Sequence, residues 1–194
     1  EIIRRRTSTD GITWSEEETI YVNDTGYYAY FLSPAIIWDG EKYNIWVITS
    51  SNNTIQYYTA LASDITNWNL ERTIVLTYKD ADNIEYKPWH LDVINDNGTY
   101  IMLIMCKSFE SAAENRWTMF MTTSSDNTNY ETPYVVIYGD PDSWDSYMYR
   151  GSIVKVNDEY RIYYSAGSAA YSISSIWGIG VSTSKNLRNF IGAL

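Results

Sequence analysis

A hairpin pattern that occurs three times constrains the fold of this 194-residue chain more than any other feature. The copies begin at Ser33, His90 and Arg150, about 60 residues apart. Each copy consists of an apolar run, a tight turn and a run of alternating apolar and polar residues that begins near a tyrosine. The turns are Asp39-Gly40, Asn97-Gly98 and Asn157-Asp158. Asn-Gly and Asp-Gly between hydrophobic runs are strong hairpin signals. The two halves of each copy are therefore predicted to pair as antiparallel strands.

A third strand follows each hairpin and ends in a polar turn with an aromatic residue. These strands and turns span Ile55–Trp68, Trp117–Tyr130 and Trp177–Phe190, and the segment Ile2–Trp14 fits the same template. Repeats of this length with almost no helical periodicity are typical of propeller blades. The sequence therefore predicts an all-β chain, a β-propeller of antiparallel four-stranded blades that forms a single, partial domain.

The number of blades predicted in this way does not complete a ring. An outer half-blade is expected over residues 1–30, followed by blades over about 31–85, 86–145 and 146–194. About three and a half blades cannot close, because closed propellers have at least four, and an open ring leaves edge strands unpaired. The sequence thus predicts either a fragment that lacks N-terminal blades or a chain completed by a partner copy, and the fragment interpretation is preferred.

Composition excludes several classes of function. Asp and Glu total 24 against 14 Lys and Arg, for a net charge of −10, and a surface of that sign repels phosphate backbones and anionic lipids. We therefore expect no nucleic-acid partner. No apolar run approaches the roughly 20 residues that span a bilayer. With one cysteine and one histidine, neither an internal disulfide nor a metal cluster is expected.

Three short blocks at the start of the repeats carry a family resemblance. The blocks are Leu32-Ser-Pro34, Trp89-His-Leu-Asp92-Val-Ile and Tyr149-Arg-Gly-Ser-Ile-Val. Together with the Asp-Gly turn and the Ser-x-Asp-Gly-x-x-Trp ending, they resemble the five-bladed propellers of glycoside hydrolase families 43 and 32, in particular a branch found in bacterial and phage tail proteins. The resemblance implies a polysaccharide or oligosaccharide ligand and an extracellular or virion-associated location.

The resemblance also implies a site. In such enzymes the inner strands present their first residues to a central funnel, where two carboxyl groups act as acid and base. At the matching positions, the resemblance implies that Asp92 and His90 are the catalytic residues. Asp92 would act as the base or as a modulator of a neighbour's pKa. The residues expected to bind or rim the sugar are Ser33, Trp89, Tyr149, Arg150, Trp38 and Trp144. The family often has a Glu where this chain has Ser33, and its other Asp residues would lie upstream of Glu1.

Structural roles remain open for the same side chains. Strand alternation puts Asp92 and His90 on one face. Asp92 could accept a hydrogen bond from a neighbouring blade instead, since an unpaired carboxylate among apolar neighbours is costly. His90 could be a satisfied structural histidine, and Arg150 could form an inter-blade salt bridge with Asp145 or with Asp92.

Two main functions follow from these residues. The first is a glycoside hydrolase that cleaves polysaccharide by acid–base chemistry in the funnel. The alternative is a non-catalytic glycan-binding module, such as a phage tail receptor-binding domain, which Ser33 and the abundance of Tyr and Trp favour. A purely structural scaffold is the third interpretation. Neither main function requires a cofactor, although the three acids of Gly139–Asp145 could coordinate Ca²⁺.

Overall fold

The computed structural model describes residues 2–22, 31–49, 53–108, 117–139, 142–168 and 177–192. Within these ranges the chain forms fifteen strands in four antiparallel sheets, and one turn of 3-10 helix at Ala62–Asp64. The first sheet pairs β1 (Ile2–Arg5) with β2 (Glu18–Val22). The second contains β3 (Phe31–Trp38), β4 (Lys42–Thr49), β5 (Thr54–Leu61) and β6 (Asn69–Ile74).

The third and fourth sheets repeat this meander. The third contains β7 (Tyr78–Lys79), β8 (Glu85–Asp96), β9 (Thr99–Ser108), β10 (Trp117–Ser124) and β11 (Tyr134–Tyr138). The fourth contains β12 (Tyr147–Val156), β13 (Glu159–Gly167), β14 (Trp177–Ser184) and β15 (Ile191–Gly192). The predicted all-β fold is confirmed. Among the described residues, no helix has the length and apolar character needed to cross a membrane.

The inner hairpins β3–β4, β8–β9 and β12–β13 turn where the sequence predicts. The last paired residues before and after each turn are Trp38 and Tyr43, Asp96 and Thr99, and Val156 and Glu159. Asn97 and Asn157 adopt the left-handed conformation, with φ of 51° and 56°. Asn tolerates this region better than most residues, and tight hairpin turns require it. The local turn chemistry therefore sets the register of these hairpins.

The polar turns after β1, β10 and β14 share one hydrogen-bond pattern. Ser8 Oγ donates to Asp10 Oδ1 at 2.9 Å, and that oxygen accepts the backbone N–H groups of Ile12 and Thr13 at 2.8 Å each. These backbone donors lower the pKa of Asp10 to about 2. The same pattern recurs at Ser124–Asp126 and Ser184–Asn186. Each turn is therefore stabilised by its own side chains.

Two apolar cores lie between successive sheets. The core between the second and third sheets contains Trp46, Ile48, Leu91, Ile104 and Phe120. The core between the third and fourth sheets contains Leu103, Met105, Trp117, Ile153 and Ile162. Because side chains alternate along a strand, β9 sends successive residues to opposite cores. The sheets consequently stack face to face, as blades do.

Apolar side chains are exposed on the inner strand β3 and on one face of the fourth sheet. On the inner strand β3, Ile36 and Trp38 are about half exposed. On the fourth sheet, Ile179 and Ile191 are 74% and 71% exposed.

Candidate functional site

The inner strands β3, β8 and β12 lie side by side, with β8 in the middle. Each has a register irregularity near its start, between Leu32 and Ala35, between Pro88 and His90, and between Met148 and Arg150. Bulges re-aim side chains and are frequent beside functional sites. The first residues of the three repeats therefore come together at one end of the inner strands. We call this region the inner-strand site and define it by Ser33, Trp89, His90, Tyr149, Arg150 and Trp177.

Ser33 and His90 form the buried part of the inner-strand site. Ser33 has a φ of 48°, a left-handed conformation that is uncommon for a residue other than Gly, Asn or Asp and that costs roughly 1 kcal/mol or more. Its Oγ forms a hydrogen bond with Nδ1 of His90 across the two sheets. The strained backbone of the β3 bulge thus holds the serine against the imidazole.

The second nitrogen of His90 has no partner. His90 is 8% exposed, and its Nε2 forms no hydrogen bond with any described residue. Burial, followed by the positive charge of Arg150, lowers the pKa of His90 to about 4. At neutral pH the site therefore contains an uncharged imidazole with one unused nitrogen. Buried polar atoms without partners are rare and mark positions where a ligand or water binds.

Aromatic rings surround His90. Tyr149 meets the imidazole edge-on at 4.7 Å between ring centroids, and Trp89 lies at 6.1 Å. Trp177, 43% exposed, contacts Tyr149 at 5.9 Å, and the buried Trp117 lies at 6.3 Å on the other side. The exposed rings of Trp89 and Trp177 can stack against a flat apolar ligand face.

Arg150 is the charged member of the inner-strand site. It is exposed and forms no ion pair or hydrogen bond through its guanidinium with another described residue. The predicted alternatives are not formed there, because Asp145 accepts a hydrogen bond from Tyr164 at 2.8 Å and Asp92 is bonded to Ser152. The guanidinium is therefore available to a ligand.

Asp92 lies two residues further along β8 and faces β12. Its Oδ2 accepts hydrogen bonds from Ser152 Oγ at 2.7 Å and from the backbone N–H of Ile153 at 2.9 Å. Its Oδ1 accepts the backbone N–H of Val93 at 3.0 Å. We call Asp92, Ser152 and Ile153 the inter-blade latch. Asp92 thus makes the inter-blade hydrogen bonds that were one of its two predicted roles.

Two predicted rim residues lie away from this cluster. Trp38 contacts Tyr43 at 4.8 Å at the turn end of the β3–β4 hairpin, which is about 16 Å along the strand from Ser33. Trp144 stacks on Tyr164 at 6.2 Å with an interplanar angle of 11°, over the backbone of Gly178. Neither ring contacts His90 or Tyr149 among the described ring pairs, so both are absent from the inner-strand site.

The site residue Trp177 and the buried Trp117 behind Tyr149 were not among the predicted site residues. Each begins the third strand of its repeat, β10 or β14. In an antiparallel meander, the first and third strands begin at the same end of the sheet. An aromatic at the start of a third strand therefore indicates a neighbour of the inner-strand bulge, and this signal is present in the sequence.

The loop Gly139–Asp145, which could coordinate Ca²⁺ or form a solvated turn, is described only in part. Asp140 and Pro141 lie outside the described residues, while Asp145 accepts the Tyr164 hydroxyl. Among described residues, no three His, Cys, Asp or Glu side chains lie close enough to hold a metal ion.

No protein-family model matches this chain, and no curated protein matches it. Solved structures do match. An N-acetylgalactosamine deacetylase from F. plautii in complex with blood group B trisaccharide has a TM-score of 0.66 at 20% identity, over 87% of this chain and 53% of that one. An α-L-arabinanase from Penicillium chrysogenum complexed with arabinobiose has a TM-score of 0.66 at 16% identity, over 99% and 58%.

A third match is the GH32 β-fructofuranosidase BmSUC1 from Bombyx mori, with a TM-score of 0.60 at 12% identity, over 84% of this chain and 36% of that one. The chain thus spans about half, or less, of the length of these structures. At such identities the likeness shows the fold. This chain has the β-propeller fold of glycoside hydrolases such as the arabinanase and the β-fructofuranosidase, and the predicted architecture is confirmed at that level.

Proposed function

We propose that this chain is a carbohydrate-binding propeller domain in which the inner-strand site holds the sugar. The observation that carries the proposal is the unpartnered Nε2 of the buried His90, beside the exposed rings of Trp89 and Trp177. A sugar presents an apolar face that stacks on aromatic rings and hydroxyls that bond to fixed polar atoms. Two of the similar solved structures contain oligosaccharides, which supports this ligand class.

The carboxylates favour binding without cleavage. Glycosidic hydrolysis uses two carboxyl groups roughly 5 to 9.5 Å apart. Asp92 is the acidic residue on the described inner strands nearest to His90, and both its oxygens already accept hydrogen bonds. Ser33 stands where the resemblance leads us to expect a Glu. A glycan-binding role, such as receptor recognition by a phage tail, is therefore the function we favour.

Hydrolysis is the second candidate, because similar folds occur in an arabinanase and a β-fructofuranosidase. Asp92 would then serve as base or as modulator of a neighbour's pKa. In that case Asp92→Asn abolishes hydrolysis and leaves glycan affinity within a few-fold. Ser152→Ala is the matched control, since it removes a hydrogen bond to Asp92 and keeps the carboxylate.

The test is a glycan array combined with a reducing-sugar release assay on the same protein. We expect glycan binding without release, and an affinity about 5-fold lower for Trp177→Ala because one stacking contact is worth about 1 kcal/mol. Trp14→Ala is the control, because Trp14 is equally exposed on the loop between β1 and β2. An array without any bound glycan would refute the proposal, and release of reducing ends would establish the second candidate.

We also propose that further blades of the same architecture cover the exposed apolar faces of β3 and of the fourth sheet. The exposure of Ile36, Trp38, Ile179 and Ile191 supports this. The chain alone should then bind a hydrophobic dye and self-associate in sedimentation, and Ile179→Lys should reduce both. Ile12→Lys, in an exposed loop, is the control. A discrete dimer would instead indicate closure by a second copy, and a monomer that binds no dye contradicts both arrangements.

A further inference from the structure

We infer that the sugar bound at the inner-strand site carries an anionic group, a carboxylate or a sulfate ester, held between Arg150 and Nε2 of His90. The inference rests on the proposed function and adds the chemical class of the ligand. A carboxylate and a sulfate ester both present negatively charged oxygen acceptors. The same two donors, on Arg150 and His90, would therefore bind either group.

Arg150 carries a positive charge that no carboxylate of the described residues pairs with. The whole chain has a net charge of −10, and the other described arginines have partners. Arg4, Arg5 and Arg6 pair with Glu17 or Glu18, Arg161 with Glu159 and Arg188 with Glu131, and Arg72 donates to the carbonyl of Asn127. Arg150 alone among them has no such contact within the described residues. A free guanidinium on an acidic protein matches an anion, which it binds through two parallel hydrogen bonds.

A second cation lies at the same end of the third sheet. Lys107 follows the last core residues of β9, and its Nζ lies 5.6 Å from the centroid of the Trp117 ring. Trp117 in turn contacts Tyr149. Lys107 and Arg150 therefore place two positive charges near the aromatic cluster, and such charges favour an anionic ligand.

The hydrogen bond between Ser33 and His90 bears on which nitrogen of His90 is a donor. When the Ser33 hydroxyl donates to Nδ1, the neutral imidazole has its hydrogen on Nε2. Nε2 then donates, as the guanidinium of Arg150 does, and both donors suit an oxygen anion. A neutral sugar hydroxyl can satisfy Nε2, but it leaves the charge of Arg150 uncompensated.

The experiment uses His90 as a reporter, because it is the one histidine of the chain. The proton on Cε1 of its ring gives one resonance that reports the charge of the imidazole in a pH titration by NMR. An array of uronate-containing, sulfated and neutral glycans first selects the best anionic binder. The titration is then run without ligand, with that glycan, and with its carboxyl-reduced or desulfated counterpart.

We expect the anionic glycan to raise the pKa of His90 by about one unit, because a bound anion offsets the charge of Arg150 and favours the imidazolium. The neutral counterpart should leave the pKa closer to its ligand-free value and bind at least 10-fold more weakly. Arg150→Gln should abolish this discrimination. Arg161→Gln, which removes an arginine from the far end of the same sheet, should preserve it.

Equal binding of the anionic glycan and its neutral counterpart, with no change in the His90 titration, would overturn the inference and leave the proposed function intact. Absence of binding to any glycan would overturn both. A uronate binder that loses affinity on carboxyl reduction identifies a carboxylate as the ligand group, and a sulfated binder that loses affinity on desulfation identifies a sulfate. All variants are compared at equal folded fraction, measured by tryptophan fluorescence.

Discussion

Removal of the Asp92 carboxylate is expected to destabilise the packing of the third sheet on the fourth. In the inter-blade latch, Asp92 Oδ2 accepts hydrogen bonds from Ser152 Oγ and the Ile153 N–H at 2.7 and 2.9 Å. A hydrogen bond to a charged group contributes about 1.5 to 3 kcal/mol. Because Asp92 is half-buried and Ser152 is exposed, we take the lower end. Asp92→Ala should therefore lower the free energy of unfolding by about 3 kcal/mol.

Urea unfolding followed by tryptophan fluorescence measures this change. For a domain of this size, 3 kcal/mol corresponds to a fall in Tm of roughly 6 to 12 °C. Ser152→Ala removes one of the two bonds and should cost about 1.5 kcal/mol. The double variant should then be more stable than the sum of the single losses predicts, with a coupling of about 1.5 kcal/mol, because both single changes remove the same Ser152 hydrogen bond.

Glu16→Ala is the control for the loss of a carboxylate, because Glu16 is exposed on the loop between β1 and β2. Its free energy of unfolding should stay within about 0.5 kcal/mol of the parent chain. If Asp92→Ala behaves like Glu16→Ala and shows no coupling to Ser152→Ala, the latch does not stabilise the packing of the two sheets. The carboxylate would then be free for the catalytic role.

Two further predictions concern His90 and the packing of the fourth sheet. The folded pKa of His90, about 4, lies below its ordinary value of 6.5, so the unfolded chain binds more protons between these values. The stability that His90 contributes is therefore complete above pH 6.5 and is lost as the pH falls towards 4. Between pH 7 and pH 5, the free energy of unfolding measured in urea should fall by about 2 kcal/mol. This fall should be absent in His90→Gln. A Cβ on Gly180 would lie 2.4 Å from the Tyr164 ring, whereas one on Gly192 meets nothing within 4 Å. Gly180→Ala should cost roughly 1 to 3 kcal/mol in the same assay, with Gly192→Ala as the matched control; equal stabilities would contradict the packing described for Tyr164.

The fold could be predicted because its signals are local. Asn97-Gly98 and Asn157-Asp158 supply the left-handed residues that tight turns need, and alternation along each hairpin gives the two faces. The repeat then gives the sheet order, since each copy forms the same meander. None of these inferences requires knowledge of a contact between distant residues.

The site could be predicted only in part, because its geometry depends on bulges and on neighbouring sheets. Ser33, Trp89, His90, Tyr149 and Arg150 were predicted together, since they begin their repeats. Ser33 adopts a left-handed conformation at a position where no glycine indicates one. The partner of Asp92, Ser152, lies 60 residues away in the next repeat. Such contacts depend on tertiary packing.

Trp38 and Trp144 illustrate the opposite error. An aromatic in a strand can face a ligand, a core or an exposed sheet face, and the sequence pattern is the same for all three. Trp38 lies on the exposed face of β3. Trp144 stacks on the ring of Tyr164.

His90 and Arg150 are the first paired residues after equivalent bulges in β8 and β12, Ser33 lies within the bulge of β3, and the three side chains differ in size, charge and hydrogen-bonding capacity. Arg150 is exposed, so a mutation there would alter what a ligand at the inner-strand site meets and would spare the turns and core residues that build the hairpin. Ligand preference can thus diverge in small, separate steps during evolution while the scaffold is inherited unchanged. This independence explains how proteins with so little sequence in common retain one architecture.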